Sequence, residues 1–154
     1  MENQNFNAVF LFDQSAKEVF DAVTNVRGWW SETVEGGTRN LNDEFVYRYA
    51  DLHYSKQKLT EVIPNKKVVW LVTDSNLTFV EDKNEWTGTH VIFEITEKAG
   101  QTQLSFTHVG LSPQVECYKA CSGGWTFYLQ SLCALITTGK GNPDLKGEEE
   151  VKYN

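Results

Sequence analysis

The chain has 154 residues, of which 40% are hydrophobic and 13% aromatic, and its formal net charge is −7. These values predict one globular domain that needs no disulfide or metal to fold. They argue against nucleic acid and anionic membrane surfaces as partners, because both require a basic patch. No apolar run reaches membrane-spanning length and the first residues, MENQNFN, are polar, so we expect no membrane insertion and no signal peptide.

The first predicted element is a strand over residues 5 to 13, where Phe and Val are enriched. Ser15 to Glu18 (SAKE) fits a capping box, in which a serine hydroxyl and a glutamate satisfy free amides at a helix start. The helix that follows has one apolar stripe, formed by Ala16, Val19, Phe20 and Val23. Residues 25 to 28 are interpreted as a turn or second short helix that leads into Trp29 and Trp30.

A strand-rich stretch comes next. Its two-residue periodicity and turn signals predict strands at residues 44–49, 53–63, 68–73, 89–96 and from 101 onward. Residues 74 to 87 fit either a short strand pair or a loop.

The period then changes to that of a helix, with an apolar stripe at Trp125, Leu129, Leu132 and Ile136. We expect this helix to end near Gly139, with the pair Gly123-Gly124 at its start or in a kink. The predicted fold class is α+β, a curved antiparallel sheet of about six strands wrapped on the C-terminal helix. Residues 1–139 form one domain, and residues 140–154 are expected to be a charged, flexible tail.

Four segments between residues 15 and 136 resemble the SRPBCC (START-like, helix-grip) superfamily in the same order: SAKEVFDAVTNVRGWW, TEVIPNKKVVWLV, THVIFEITEKAGQTQLSFTHVGL and GWTFYLQSLCALI. The branch that fits best is the activator of heat shock protein 90 ATPase homologue-like group. Trp70 in the second segment falls earlier than the family pattern places its tryptophan. The resemblance implies a helix-grip (Bet v 1-like) fold with a hydrophobic cavity between sheet and helix, and it names no reaction.

Inward-facing positions near that implied cavity are the candidate ligand-binding residues. They are Trp30, Phe45, Tyr47, Tyr49, Trp70, Phe93, Phe106, His108 and Trp125. Most are aromatic, as expected for an apolar site with few oriented polar groups. Because Tyr47 and Tyr49 share one strand face, we also expect a polar contact or a trapped water beside them.

His108 shares the inward face of its strand with Leu104 and Phe106. One interpretation is that it bonds a backbone carbonyl or a tryptophan and fixes the loop before Gly110. The other places it at the rim of the cavity with one nitrogen facing a ligand. We assign no catalytic residue, because no carboxylate or nucleophile is tied to His108 by its spacing.

No metal site or cofactor is predicted. The histidines lie at no familiar zinc spacing, and Cys117, Cys121 and Cys133 are interpreted as free thiols of a reduced, cytoplasmic protein. No phosphate loop or nucleotide fingerprint is present.

The leading hypothesis is a small binding protein for a hydrophobic or amphipathic molecule, more a binding module than an enzyme. Its first alternative is an enzyme of the cyclase or hydratase type, as in other members of the superfamily, that would use His108 and a cavity tyrosine. The second is a chaperone ATPase regulator. The resemblance implies that eukaryotic-type activators carry an additional N-terminal domain, and we expect this chain to have no room for one.

Overall fold

The computed structural model describes residues 5–49, 53–78, 81, 85–111 and 118–143. Its elements in chain order are β1 (Phe6–Phe12), α1 (Ala16–Thr24), α2 (Val26–Trp29), β2 (Glu35–Gly36), β3 (Glu44–Tyr49), β4 (His53–Ile63), β5 (Lys67–Leu77), β6 (His90–Lys98), β7 (Gln101–Val109) and α3 (Tyr118–Thr138). The predicted helix-grip architecture of the α+β class is confirmed.

All pairings in the sheet are antiparallel, in the order β1-β7-β6-β5-β4-β3-β2. The sheet has seven strands among the described residues, where about six were expected. The additional strand is β2, whose two residues are too few to produce a hydrophobic period. β1 pairs with β7, although the two strands are far apart in the sequence, and Phe6 lies opposite His108.

Helix α1 begins with the predicted capping box. The Ser15 hydroxyl accepts a hydrogen bond from the Glu18 amide at 3.1 Å, and the Glu18 carboxylate accepts one from the Ser15 amide at 2.9 Å. Val19 and Val23 of the predicted stripe are fully buried. The local sequence pattern therefore predicts both where α1 starts and which face it buries.

β5 extends to Leu77, so the first part of the segment interpreted as a strand pair or loop is strand. Ser75 and Leu77 face inward while Asp74 and Asn76 are exposed, and these polar outward residues obscure the strand in the sequence. Register shifts in the β4–β5 pairing, at Lys56/Gln57 and Leu59/Glu61, mark irregularities of the bulge type. Bulges bend a strand and increase its twist, which suits a sheet that curves around a helix.

Helix α3 buries the predicted stripe of Trp125, Leu129, Leu132 and Ile136. Gly123 and Gly124 lie within the helix, after its first turn. The helix ends as predicted at Gly139, which has a positive φ of 86° and donates its amide to the Leu135 carbonyl at 3.0 Å. The Asn142 amide bonds the Ser131 hydroxyl at 2.6 Å, and most of the predicted tail, residues 144–154, lies outside the described residues.

Candidate functional site

The nine predicted site residues come together between the sheet and α3, and each is at most 3% exposed. They reach this place from β3, β5, β6, β7, α3 and the loop after α2. Trp30 has a central position, because its ring centroid lies 4.3 Å from that of Tyr47, 5.7 Å from Trp70 and 5.1 Å from Trp125. Whether these residues contact a ligand stays a prediction.

A second group of ring contacts links the sheet to the helix. Phe93 on β6 lies 5.2 Å from Phe106 on β7, and Phe106 lies 4.7 Å from Trp125 on α3. Trp70 joins this group to the first, at 4.9 Å from Phe93 and 5.0 Å from Phe45. The interior is therefore a continuous aromatic cluster, in which offset and edge-to-face pairs add to the stabilisation from buried area.

His108 is fully buried, so the rim position considered for it is wrong. The Trp125 indole N–H donates to His108 Nδ1 at 3.0 Å. Since an indole N–H can only donate, Nδ1 carries no proton and the proton is on Nε2. Nε2–H in turn donates to the Thr89 hydroxyl at 2.8 Å, and that hydroxyl donates to the Trp86 carbonyl at 2.6 Å.

Burial lowers the pKa of His108 to about 3, with smaller contributions from the charges of His53 and His90. The hydrogen bond from Trp125 also lowers the pKa of His108, because a proton on Nδ1 would face the indole N–H, which is itself a donor. His108 thus matches the first interpretation in that it bonds a tryptophan, and it connects β7 to α3 and to the segment before β6.

The polar contact expected beside Tyr47 and Tyr49 is present at Tyr47, whose hydroxyl lies 3.1 Å from the Tyr128 hydroxyl on α3. Tyr49 is also buried, at the end of the same strand. Tyr128 is half-buried and was not among the predicted site residues.

The inner face of β4 carries a polar row that was not predicted from the sequence. It is formed by His53, Ser55 and Gln57 and is called here the β4 polar row. His53 is 9% exposed and the other two are fully buried. His53 Nε2 lies 3.0 Å from the Ser55 hydroxyl, which also accepts a hydrogen bond from Gln57 Nε2 at 2.6 Å. The signal available in the sequence is the alternation of these uncharged polar residues with Tyr54, Lys56 and Lys58, which point outward.

Trp86 was also missed, since it lies in a segment without clear periodicity. It is 4% exposed and its ring lies between two imidazoles, 4.6 Å from His53 and 4.7 Å from His108, both edge-to-face. It also stacks on Trp125 at 5.9 Å. Trp86 therefore joins the β4 polar row to the network around His108.

Several buried polar atoms of this interior have no hydrogen-bond partner among the described residues. They are the indole nitrogens of Trp30, Trp70 and Trp86 and the side-chain oxygen Oε1 of Gln57. A buried donor or acceptor that lacks a partner costs about 1–3 kcal/mol, so natural structures usually satisfy it with protein, water or ligand. A molecule bound in this interior would gain most free energy from hydrogen bonds to these atoms.

The interior carries no formal charge among the described residues, because the buried polar side chains are those of Ser, Thr, Gln and His. Burial lowers the pKa of His53 to about 3, as it does for His108. Both imidazoles are therefore neutral at physiological pH.

No group of His, Cys, Asp or Glu suited to hold a metal occurs in the part of the chain that the structure describes. Cys121 and Cys133 are thiols that are not joined in a disulfide, and burial raises the pKa of Cys133. Cys117 lies outside the described residues. The helices that are described include none long and apolar enough to cross a membrane.

Comparison with known proteins identifies the family of this chain. The family model described as "Activator of Hsp90 ATPase homolog 1-like protein" matches residues 13–137. The chain belongs to this family. The match spans α1 through nearly all of α3, and it confirms the branch that the sequence motifs resemble. Comparison with curated proteins found no match.

Solved structures of similar fold include the Aha1 dimer from Colwellia psychrerythraea, at 24% identity and a TM-score of 0.71, covering 89% of this chain and 98% of that one. Protein MLL2253 from Mesorhizobium loti is 18% identical with a TM-score of 0.66, covering 85% and 96%. DynU16, a putative protein in the dynemicin biosynthetic locus, is 15% identical with a TM-score of 0.66, covering 94% and 52%. These likenesses show the helix-grip fold.

Proposed function

We propose that this family member is a START-like binding domain that encloses one small hydrophobic or amphipathic molecule between the sheet and α3. The observation that carries the proposal is the set of unpartnered polar atoms of Trp30, Trp70, Trp86 and Gln57 inside an aromatic cluster. An apolar site with a few oriented polar groups is the usual composition of a small-molecule site. The nine predicted residues and the β4 polar row would contact the bound molecule.

The enzymatic alternative, a cyclase or hydratase that uses His108, has less support. General acid–base catalysis works best when the pKa of the group is near the operating pH, whereas the pKa of His108 and of His53 is about 3. Both nitrogens of His108 are already engaged, by Trp125 and Thr89. These features suit a structural imidazole better than a proton-transfer group.

Regulation of a chaperone ATPase is supported by the family description alone. A cytoplasmic location is part of the proposal, because a reducing compartment suits the thiols of Cys121 and Cys133.

The proposal is tested with prodan, an uncharged naphthalene ketone whose emission depends on polarity. The buried tryptophans would transfer excitation to a molecule bound among them, so we expect saturable energy transfer with one prodan per chain by native mass spectrometry. Phe127→Ser is the control, because Phe127 is the large aromatic side chain exposed on α3, at 39%. That variant should bind prodan equally well. Non-saturable transfer, or binding that disappears with Phe127, would contradict an interior site.

A further inference from the structure

Three of the side chains with an unpartnered polar atom, those of Gln57, Trp30 and Trp70, are neighbours in the interior. Gln57 lies opposite Phe45 on β3, and the Phe45 ring is 6.3 Å from Trp30 and 5.0 Å from Trp70. Gln57 and Trp70 are also diagonal neighbours on the inner face, since Gln57 pairs with Val72 and Leu59 with Trp70. Diagonal neighbours in a sheet lie roughly 7–8 Å apart, within reach of aromatic and long side chains, so one small head group can be shared between Gln57 and Trp70.

The unpartnered polar atoms differ in whether they donate or accept hydrogen bonds. The indole nitrogens of Trp30 and Trp70 can only donate, so a partner must present an acceptor to them. The Gln57 amide is oriented with its Nε2 on the Ser55 hydroxyl, which leaves the carbonyl oxygen open. A carbonyl oxygen can only accept, so the same partner must also present an N–H or O–H.

The head group must also be uncharged. No Lys, Arg, Asp or Glu side chain is buried among the described residues, so nothing there would neutralise an ion. Removing a charge from water without a counter-charge costs far more than a few hydrogen bonds return. An anion such as a fatty-acid carboxylate lacks, in addition, a proton to donate to Gln57.

Resting on the proposed function, we infer that the ligand of this site carries a neutral head group that both accepts and donates hydrogen bonds. A primary amide is the simplest head group with this pattern. Its carbonyl would accept from Trp30 and Trp70, and its N–H would donate to Gln57. Trp86, beside His53 at the other end of the β4 polar row, offers a further donor to a longer polar group.

Three probes that share one nine-carbon tail test the inference by isothermal titration calorimetry at neutral pH. Decanamide has the full pattern, 2-undecanone replaces its NH₂ by a methyl group, and decanoate carries a charge. We expect decanamide to bind about tenfold more tightly than 2-undecanone, the effect of one hydrogen bond to a buried acceptor. Decanoate should bind most weakly of the three.

The variant Gln57→Leu removes the unpartnered acceptor, Oε1, and puts an apolar side chain of similar size in its place. We expect the difference between decanamide and 2-undecanone to shrink to less than about twofold in this variant. Gln103→Leu is the matched control, because Gln103 lies on the outer face of β7, half-buried, and should leave the difference intact. Circular dichroism confirms that both variants are folded.

A second variant keeps the test valid if Gln57→Leu fails to fold. Trp30→Phe removes a donor to the carbonyl, so it should weaken decanamide and 2-undecanone by the same factor of about five to ten. Trp29→Phe is its control, because the Trp29 N–H already donates to the Val23 carbonyl at 3.2 Å.

The outcomes separate the two proposals. If no probe binds, the binding function and the inference both fail. If the ketone binds as well as the amide, or decanoate binds best, the inference is overturned while the binding function stands. Equal losses in Trp30→Phe and Trp29→Phe would also overturn it.

Discussion

His108 shows how a polar side chain becomes part of an aromatic core. Trp125 supplies a donor to Nδ1 and Thr89 receives the proton of Nε2, so the neutral imidazole has no open polar atom. Strand periodicity predicts only that His108 turns inward. Its partners come from α3 and from the segment before β6, and no local pattern could identify them.

The Thr89 hydroxyl connects His108 to the Trp86 backbone, and its removal should leave the buried Nε2–H of His108 without a partner. The Trp86 carbonyl would still accept from the Thr89 amide at 3.0 Å. We predict that Thr89→Val lowers the free energy of unfolding by about 1–3 kcal/mol, measured by urea denaturation. Thr107→Val is the matched control, since Thr107 faces outward on β7 and should change stability by less than about 0.5 kcal/mol. Equal stability of the two variants would contradict the hydroxyl's role.

The residues that sequence reasoning found and those it missed differ in type. Large aromatics such as Phe93 and Phe106 were predicted because strand periodicity and hydrophobicity agree at those positions. Gln57 and Ser55 were missed because a polar residue at an inward position resembles an outward one unless the register is known. Trp86 was missed because the segment that carries it has no period.

At the scale of elements, α3 contains two glycines, Gly123 and Gly124. No close contact at either position requires the absence of a side chain. A Cβ added at either would meet nothing within 4 Å. We predict that Gly123→Ala raises the free energy of unfolding by about 0.5–1 kcal/mol, because alanine loses less backbone entropy in a helix. Thermal unfolding followed by circular dichroism measures the change.

Gly110→Ala is the contrasting variant, with the opposite expected sign. Gly110 has a φ of +104°, and an added Cβ would lie 2.6 Å from Thr89 Cγ2. We expect this substitution to destabilise by more than about 1 kcal/mol. If both alanines destabilise, then Gly123 has a role in α3 that packing does not reveal.

The capping box of α1 gives a further prediction at this scale. Ser15→Ala removes the hydroxyl that accepts from the Glu18 amide and should lower stability by about 1 kcal/mol. Ser15→Asp keeps an acceptor in place and should retain most of that stability, as measured by urea denaturation. If Ser15→Ala left stability unchanged, the side-chain cap would contribute nothing.

Elements with strong local signals were predicted well: α1, β3, β4 and α3 follow caps, alternation or a helical stripe. The exceptions are β2, which is held by its pairing with β3 and by a hydrogen bond from Arg27 to the Gly36 carbonyl, and the end of β5, which is polar. Both depend on neighbours in the sheet that are distant in the sequence, so no local propensity could place them.

At the scale of the whole molecule, the two buried histidines link stability to pH. The pKa of His53 and of His108 is about 3 in the folded state, below the ordinary value of 6.5. The unfolded chain therefore binds more protons between these values, and stability present above pH 6.5 is lost as the pH falls. We predict a loss of about 1.4 kcal/mol per pH unit for each histidine.

Urea denaturation between about pH 7 and pH 5 measures this slope above the range in which carboxylates titrate. His108→Asn should reduce the slope by about one proton, since the asparagine oxygen can still accept from Trp125 and does not titrate. A slope that is unchanged in this variant would show that His108 is protonated in the folded state.

The central claim is that open polar atoms inside an aromatic cluster form a ligand site, and the five indole N–H groups report on it directly. In a ¹⁵N-labelled sample titrated with decanamide, we predict that the indole resonances of Trp30 and Trp70 move downfield to saturation as they gain hydrogen bonds. Those of Trp29 and Trp125, already bonded to Val23 and His108, should move much less. Saturable binding that leaves Trp30 and Trp70 unmoved would contradict the claim.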